Sequence, residues 1–240
     1  METIAQFLEG VAHTQIFLLS ITVVLFYCAQ LLQRRFRSPL LHPILVATIL
    51  VIVMLSITGV EYAEYYAANS PINFLLSLPV VCLGYLMYKN FRPIRDYKIT
   101  ILISTFVGSL VGLLSIVGLS YLFGCDEVVM ISMEPKSITT AIALSLSEAS
   151  GGITALTSLA VVVAGISGSI VGPYLLKLFR IDDPVARGLA MGSASHAVGT
   201  ARALEVMGAV EGAVGGAAIG MMGLFTSLLL PIINTLLATL

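Results

Sequence analysis

The sequence predicts an all-α membrane protein, a polytopic helical bundle of about six to eight spans with broken or re-entrant helices. Three observations carry that prediction. Only 10% of the 240 residues are charged and 58% are hydrophobic, with a mean hydropathy of +1.02. Soluble domains carry about 25% charged residues, so this chain cannot cover its surface with polar groups in water. The charges are also bunched. No Asp, Glu, Lys or Arg occurs from Gly10 to Gln33, Ser38 to Val60, Tyr65 to Tyr88, Ile99 to Cys125, Ala149 to Leu176 or Gly212 to Leu240. Each run reaches the roughly 20 residues that a helix needs to cross the hydrocarbon core. None alternates as a strand would, and backbone groups in lipid must bond within their own segment, so the runs read as helices.

In chain order the predicted spans are about 11–33, 41–60, 67–88, 99–123, 153–176 and 212–238. The segment before the first carries Glu2 and Glu9 and no basic cluster. No cleavable signal peptide is expected, and the first apolar run serves as the insertion signal. Arg34, Arg35 and Arg37 follow that run, and Lys89, Arg92, Arg95 and Lys98 separate the third span from the fourth. The 60–66 loop (Glu61, Glu64) and the 124–128 loop (Asp126, Glu127) hold no Lys or Arg. The positive-inside rule then places the N-terminus outside and both basic loops in the cytoplasm. Two stretches fit no ordinary span: residues 134–149, short and interrupted by charge, and residues 185–208, where Arg187, His196, Arg202 and Glu205 stand among glycines. Lys177 and Arg180 are cytoplasmic if 134–150 dips in and returns, and external if it crosses.

The whole chain, 1–240, reads as a single transmembrane domain with an internal echo. Pro43 and Pro184 each follow a basic loop and open an apolar segment, 141 residues apart. That offset relates repeats of about 11–90 and 152–237, a duplication of the kind that flanks substrate sites in transporters. An inverted repeat favours full crossing by 134–150, against the loop charges. Glycines at four-residue spacing (Gly212, Gly216 and Gly220; Gly108 and Gly112; Gly168 and Gly172) fit close helix packing within one subunit or in a homo-oligomer. The net charge of −1 points to no nucleic acid. Cys28, Cys82 and Cys125 have no paired spacing and read as small packing residues.

Charge inside the hydrocarbon is expensive and marks candidate function. Two clusters qualify. In Ser132–Thr140, Glu134 precedes Pro135 and Lys136, with Ser137, Thr139 and Thr140 following. Pro135 suits a first helical turn, and free N–H groups with a Lys ammonium and hydroxyls suit a small carboxylate. The alternative is that Glu134 and Lys136 are interfacial and the hydroxyls bond their own helix. In Ala186–Glu205, Gly188, Gly192 and Gly199 with Ser193, Ser195 and Thr200 mark a helix that can unwind. His196 lies in its middle, as hydrogen-bond donor, proton carrier or plain packing residue. Arg187 and Arg202 pair an anion bidentately, or form bridges to Glu205 and Glu211. Between the clusters, Gly151 and Gly152 suit a tip or helix end, and Glu148 reads as an interfacial charge. Asn69, Ser70, Pro71, Asn73 and Pro79 mark a further break. Among these residues there is no nucleophile–base pair, phosphate loop or metal-ligand spacing, so neither an enzyme nor a bound cofactor is expected.

These residues carry a resemblance. PKSITT at Pro135–Thr140, GGI at Gly151–Ile153, PLLHPILVA at Pro39–Ala47 and above all ARGLAMGSASHAVGTAR at Ala186–Arg202 resemble the LrgB/CidB family, with its YohK-type members, over essentially the whole chain. Ala141, Thr154 and Leu86 stand where that family typically has proline. The resemblance implies a multi-pass protein of the bacterial inner (plasma) membrane, encoded beside a smaller LrgA- or CidA-type partner. It implies either antiholin-like regulation of murein hydrolase activity and autolysis, or transport of small 2-oxo or 2-hydroxy monocarboxylates of the pyruvate and glycolate class. Transport is the favoured expectation, because a passive scaffold needs no histidine and two arginines in such a segment. Its substrate site would draw on Lys136, Ser137, Thr139, Thr140, Gly151, Gly152, Ser193, Ser195, His196, Thr200 and Arg202, with Glu134 and Arg187 as further charges. H+ or Na+ would be the coupling ion.

Overall fold

The computed structural model describes residues 10–36, 41, 43–75 and 77–237, with the side chains of residues 73, 77, 79 and 80 outside that description. Glu2, Glu9, Arg37, Pro39, Leu40 and His42, and the side chains of Asn73 and Pro79, therefore lie outside it. Among the described residues every regular element is helical. These are α1 (Gln15–Phe36), α2 (Pro43–Thr58), α3 (Tyr62–Ala68), α4 (Ser70–Leu75), α5 (Ser77–Lys89), α6 (Phe91–Asp96), α7 (Lys98–Phe123), α8 (Glu127–Met133), a 3-10 turn (Glu134–Ser137), α9 (Thr140–Ala149), α10 (Thr154–Leu178), α11 (Pro184–Val206) and α12 (Ala209–Leu237).

The expected six to eight spans take a more broken form. Among the described residues four helices, α1, α7, α10 and α12, are long and apolar enough to cross a membrane, and the bent pair α2–α3 makes up to five. The second apolar run stops short because Gly59 takes a positive φ of 71° and the chain turns through 120° into α3. Within the third lie α4 and α5, and Pro71, the second residue of α4, has no N–H to give a helical ladder.

The chain divides into two compact units, residues up to 81 and from 82 onward. In the first, α1 packs on α2 and α3. Leu18, Val60 and Ala68 form its small core, with Met54, Leu55 and Tyr65 against them. Thr22 Oγ1 and the Tyr65 hydroxyl are 2.9 Å apart, and His13 Nδ1 lies 2.9 Å from Glu64.

In the second unit α11 packs along both α10 and α12, and α7 packs on α12. Ile101, Val185, Leu189, Val214 and Ala218 join α7, α11 and α12. The outward faces remain apolar: Leu102, Val107 and Val111 on α7, Leu159 and Val163 on α10, Leu224, Leu228 and Ile232 on α12 are all exposed. Such a surface is insoluble in water and fits lipid. At its C-terminus α7 closes with Gly124 in the left-handed region and Cys125 N donating to Ser120 O, just before the acidic Asp126. Cys28, Cys82 and Cys125 are free and exposed rather than packed.

Candidate functional site

Both polar stretches that resist reading as ordinary spans are broken helices. After α8 the chain tightens through Glu134–Ser137 around Pro135, then runs extended at Ile138 (ψ 178°) and Thr139 (ψ 143°) before α9. In α11, Asp183 caps the N-terminus by accepting from Ala186 N at 2.8 Å, and Pro184 takes the first position. Helical geometry then fails at Ser195 (φ −135°, ψ 18°) and His196 (φ 42°, ψ −135°).

The two breaks meet across α10. His196 is buried, and its Nε2–H donates to the Val161 carbonyl at 3.0 Å. Val161 in turn packs with Ile138, Ala143 and Met222, so α9, α10, α12 and the extended link share one buried layer. Glycine permits the approach. A Cβ on Gly165 would meet the His196 ring, and one on Gly168 would strike Ser195 Oγ. On the other flank a Cβ on Gly192 would fall 2.5 Å from Gly215 O. The broken helix is thus clasped on both sides at backbone distance.

Of the sequence-predicted residues, Ser195, His196 and Thr200 are buried together on α11, and the Ser195 and Thr200 hydroxyls have no hydrogen-bond partner. Lys136 is half-buried in the neighbouring break and reaches Gly112 O at 3.5 Å. Ser137, Thr139 and Thr140 are half-buried beside it, and Thr139 does not cap α9 with its side chain. Ser193 lines a cavity of about 410 Å³ with Tyr97, Thr100, Ser104 and Asp183, between the first halves of α7 and α11. Glu134 is buried with both carboxyl oxygens unpaired.

Others go elsewhere. Arg187 holds the α10–α11 turn, donating through Nε to Ile181 O at 2.7 Å and pairing with Asp182 at 2.6 Å. Arg202, itself partly exposed, pairs with the exposed Glu205 at 2.8 Å. The Arg202–Glu205 pair is one of the bridges the sequence offered, and Arg187 bridges to Asp182 rather than to Glu205 or Glu211. Gly151 (φ 82°) and Gly152 turn the chain between α9 and α10, where Ser132 Oγ accepts Ile153 N–H at 2.7 Å and Thr157 donates to Ser147 at 2.6 Å. That is a structural clasp. Glu148 is exposed. Among the described residues no three His, Cys, Asp or Glu side chains come together as a metal site would require. Sequence reasoning missed Asn234, buried at its polar atoms, although it is the one amide in the last apolar run and that polarity was the available signal.

A buried helix break flanked by apolar, outward-facing helices defines a polytopic helical membrane protein with a polar centre. The LrgB-like family profile matches residues 22–236, and the chain belongs to that family. It is 36% identical over 213 residues to the holin-like protein CidB of Staphylococcus aureus, covering 89% of this chain and 93% of that one. It is 36% identical over 192 residues to the antiholin-like protein LrgB of Bacillus cereus, covering 80% and 83%. It is 38% identical over 190 residues to the protein YxaC of Bacillus subtilis, covering 79% and 83%. No solved structure matches it.

Proposed function

We propose that this chain is a membrane component of a holin/antiholin-type system, acting in the bacterial plasma membrane beside a smaller LrgA- or CidA-type protein and modulating murein hydrolase activity and autolysis. The observation that carries this reading is near full-length similarity to relatives named holin-like and antiholin-like. Deleting the gene in its host should change the rate of autolysis, and the intact gene should restore it. Unaltered lysis and murein hydrolase activity in the deletion strain overturns the reading.

A second reading has its own support in the geometry. Ser195 and Thr200 hold buried hydroxyls without partners, and Lys136 brings an ammonium to the neighbouring break. Polar groups at helix breaks inside a membrane bundle serve solute pathways in transporters. The solute class is a small 2-oxo or 2-hydroxy monocarboxylate, whose carboxylate suits the ammonium and whose second oxygen suits a hydroxyl. The repeat of 11–90 on 152–237 belongs to the same reading, with Pro43 opening α2 as Pro184 opens α11. Purified protein in liposomes should take up labelled pyruvate or glycolate, and Lys136→Gln should abolish uptake. Uptake equal to that of empty vesicles, with and without the partner protein, removes this reading.

A further inference from the structure

Glu134 is 2% exposed and neither carboxyl oxygen has a hydrogen-bond partner. The Asn234 amide on α12 lies against that carboxyl, and its own oxygen and nitrogen are buried without an aligned hydrogen bond. Flanking residues on both strands of chain, Met130 and Met133 on one side and Leu230 and Ile233 on the other, belong to a single apolar cluster. A carboxylate left charged in such a place is strongly disfavoured.

Among the described residues no neighbouring charge relieves it. Lys136 is turned to Gly112 O and His196 to Val161 O. Lys98 opens α7, Lys177 closes α10, and Glu211 stands at the far end of α12 from Asn234. Glu127, Glu148, Tyr121 and Tyr174 are exposed, while Arg187, Arg202 and Glu205 on α11 are held in ion pairs. A metal cation would ask for about six oxygen ligands, whereas the two side chains supply only the carboxyl pair and one amide oxygen.

A cavity of about 220 Å³ reaches toward this pair from the acidic end of the bundle, lined by Ser120, Tyr121, Cys125, Glu127, Met130 and Leu237. Met130 precedes Glu134 by four residues and Leu237 follows Asn234 by three, so each stands one helical turn outward on the same face.

We propose that Glu134 and Asn234 form a proton-binding site: the carboxyl is held as the neutral acid, its O–H donating to Asn234 Oδ1, and the proton enters from the end carrying Asp126 and Glu127 through the cavity behind Met130 and Leu237. The site is independent of whether the chain carries a solute or regulates lysis.

Infrared spectroscopy of the full chain in lipid nanodiscs at neutral pH tests it. The wild type should show a protonated-carboxyl carbonyl band that is lost in Glu134→Gln, a near-isosteric neutral replacement. Identical carbonyl spectra in the two proteins overturn the site. Should Glu134→Gln fail to fold, Asn234→Leu provides the second reading, shifting that band to higher frequency by removing its hydrogen-bond partner; an unshifted band overturns the pairing. Met130→Phe fills the cavity and should slow exchange of the carboxyl proton for deuterium. Exchange as fast as in the wild type overturns the entry route.

Discussion

His196 on α11 donates its Nε2–H to the carbonyl of Val161 on α10 at 3.0 Å, and it does so from a backbone conformation, φ 42° and ψ −135°, that side-chain-bearing residues rarely adopt. The strain and the hydrogen bond belong together. Conformations of this kind cost about 1–3 kcal/mol and persist where the surroundings over-determine them. Here the surroundings are the notch at Gly165 and the Val161 carbonyl.

The first prediction follows from separating the two terms. His196→Ala loses the hydrogen bond, about 0.5–1.5 kcal/mol net since the Val161 carbonyl keeps its own helix's amide, and keeps the strained φ. His196→Gly loses the same bond but relaxes the backbone. Thermal unfolding in detergent should therefore rank wild type above glycine and glycine above alanine, the reverse of the usual order of the two replacements inside a helix. Alanine equal to or above glycine means that the backbone here is not under strain.

A second prediction concerns helix contacts. Gly165→Ala and Gly168→Ala would place a methyl group against His196 and Ser195, and overpacking of this kind costs about 1–3 kcal/mol. Gly112→Ala and Gly220→Ala point into open space and should be neutral or stabilising by up to about 1 kcal/mol. Melting temperatures of the four single variants check the contrast. Four-residue glycine spacing alone does not predict it, since Gly112 and Gly220 both belong to such stripes.

The long helices are legible in the sequence because charge is excluded from lipid. The run expected at 99–123 is α7 at Lys98–Phe123, and that at 153–176 is α10 at Thr154–Leu178. The break in α11 is legible as a region and not as a residue. Gly188, Gly192 and Gly199 invite unwinding, yet all three remain helical: Gly188 and Gly192 serve as contact points for α12 and Gly199 for the preceding turns of α11, while Ser195 and His196 take the irregular angles. Tertiary clasping, not local propensity, chooses where the helix opens. The partner of His196 has no sequence signature at all, because a main-chain carbonyl looks the same beneath every side chain. The ion pairs of the two arginines are local, since long side chains find Asp182 and Glu205 close by in sequence.

Those arginines give the third prediction. Arg202→Gln breaks an exposed pair with Glu205 and should cost less than about 1 kcal/mol. Arg187→Gln frees the half-buried Ile181 carbonyl as well as Asp182 and loosens the α10–α11 turn. It should be the more destabilising of the two in chemical unfolding. Equal stabilities would mean that the Ile181 contact contributes nothing.

The last prediction separates structure from function at the break. Thr200 is fully buried against Gly215, and its hydroxyl has no partner. Replacing an unpaired buried hydroxyl by a methyl group of similar shape removes a desolvation cost and no hydrogen bond, so Thr200→Val should be neutral or stabilising. The same reasoning applies to Ser195→Ala, which removes an unpaired oxygen facing Gly168. If the hydroxyls exist to receive a solute, both variants should melt at or above the wild-type temperature and yet lose uptake in liposomes. If the chain works only through its membrane partner, both should retain lysis control at normal protein levels. Loss of stability together with loss of activity would mean that the hydroxyls are bonded within the fold, and the transport reading would then lose its geometric support.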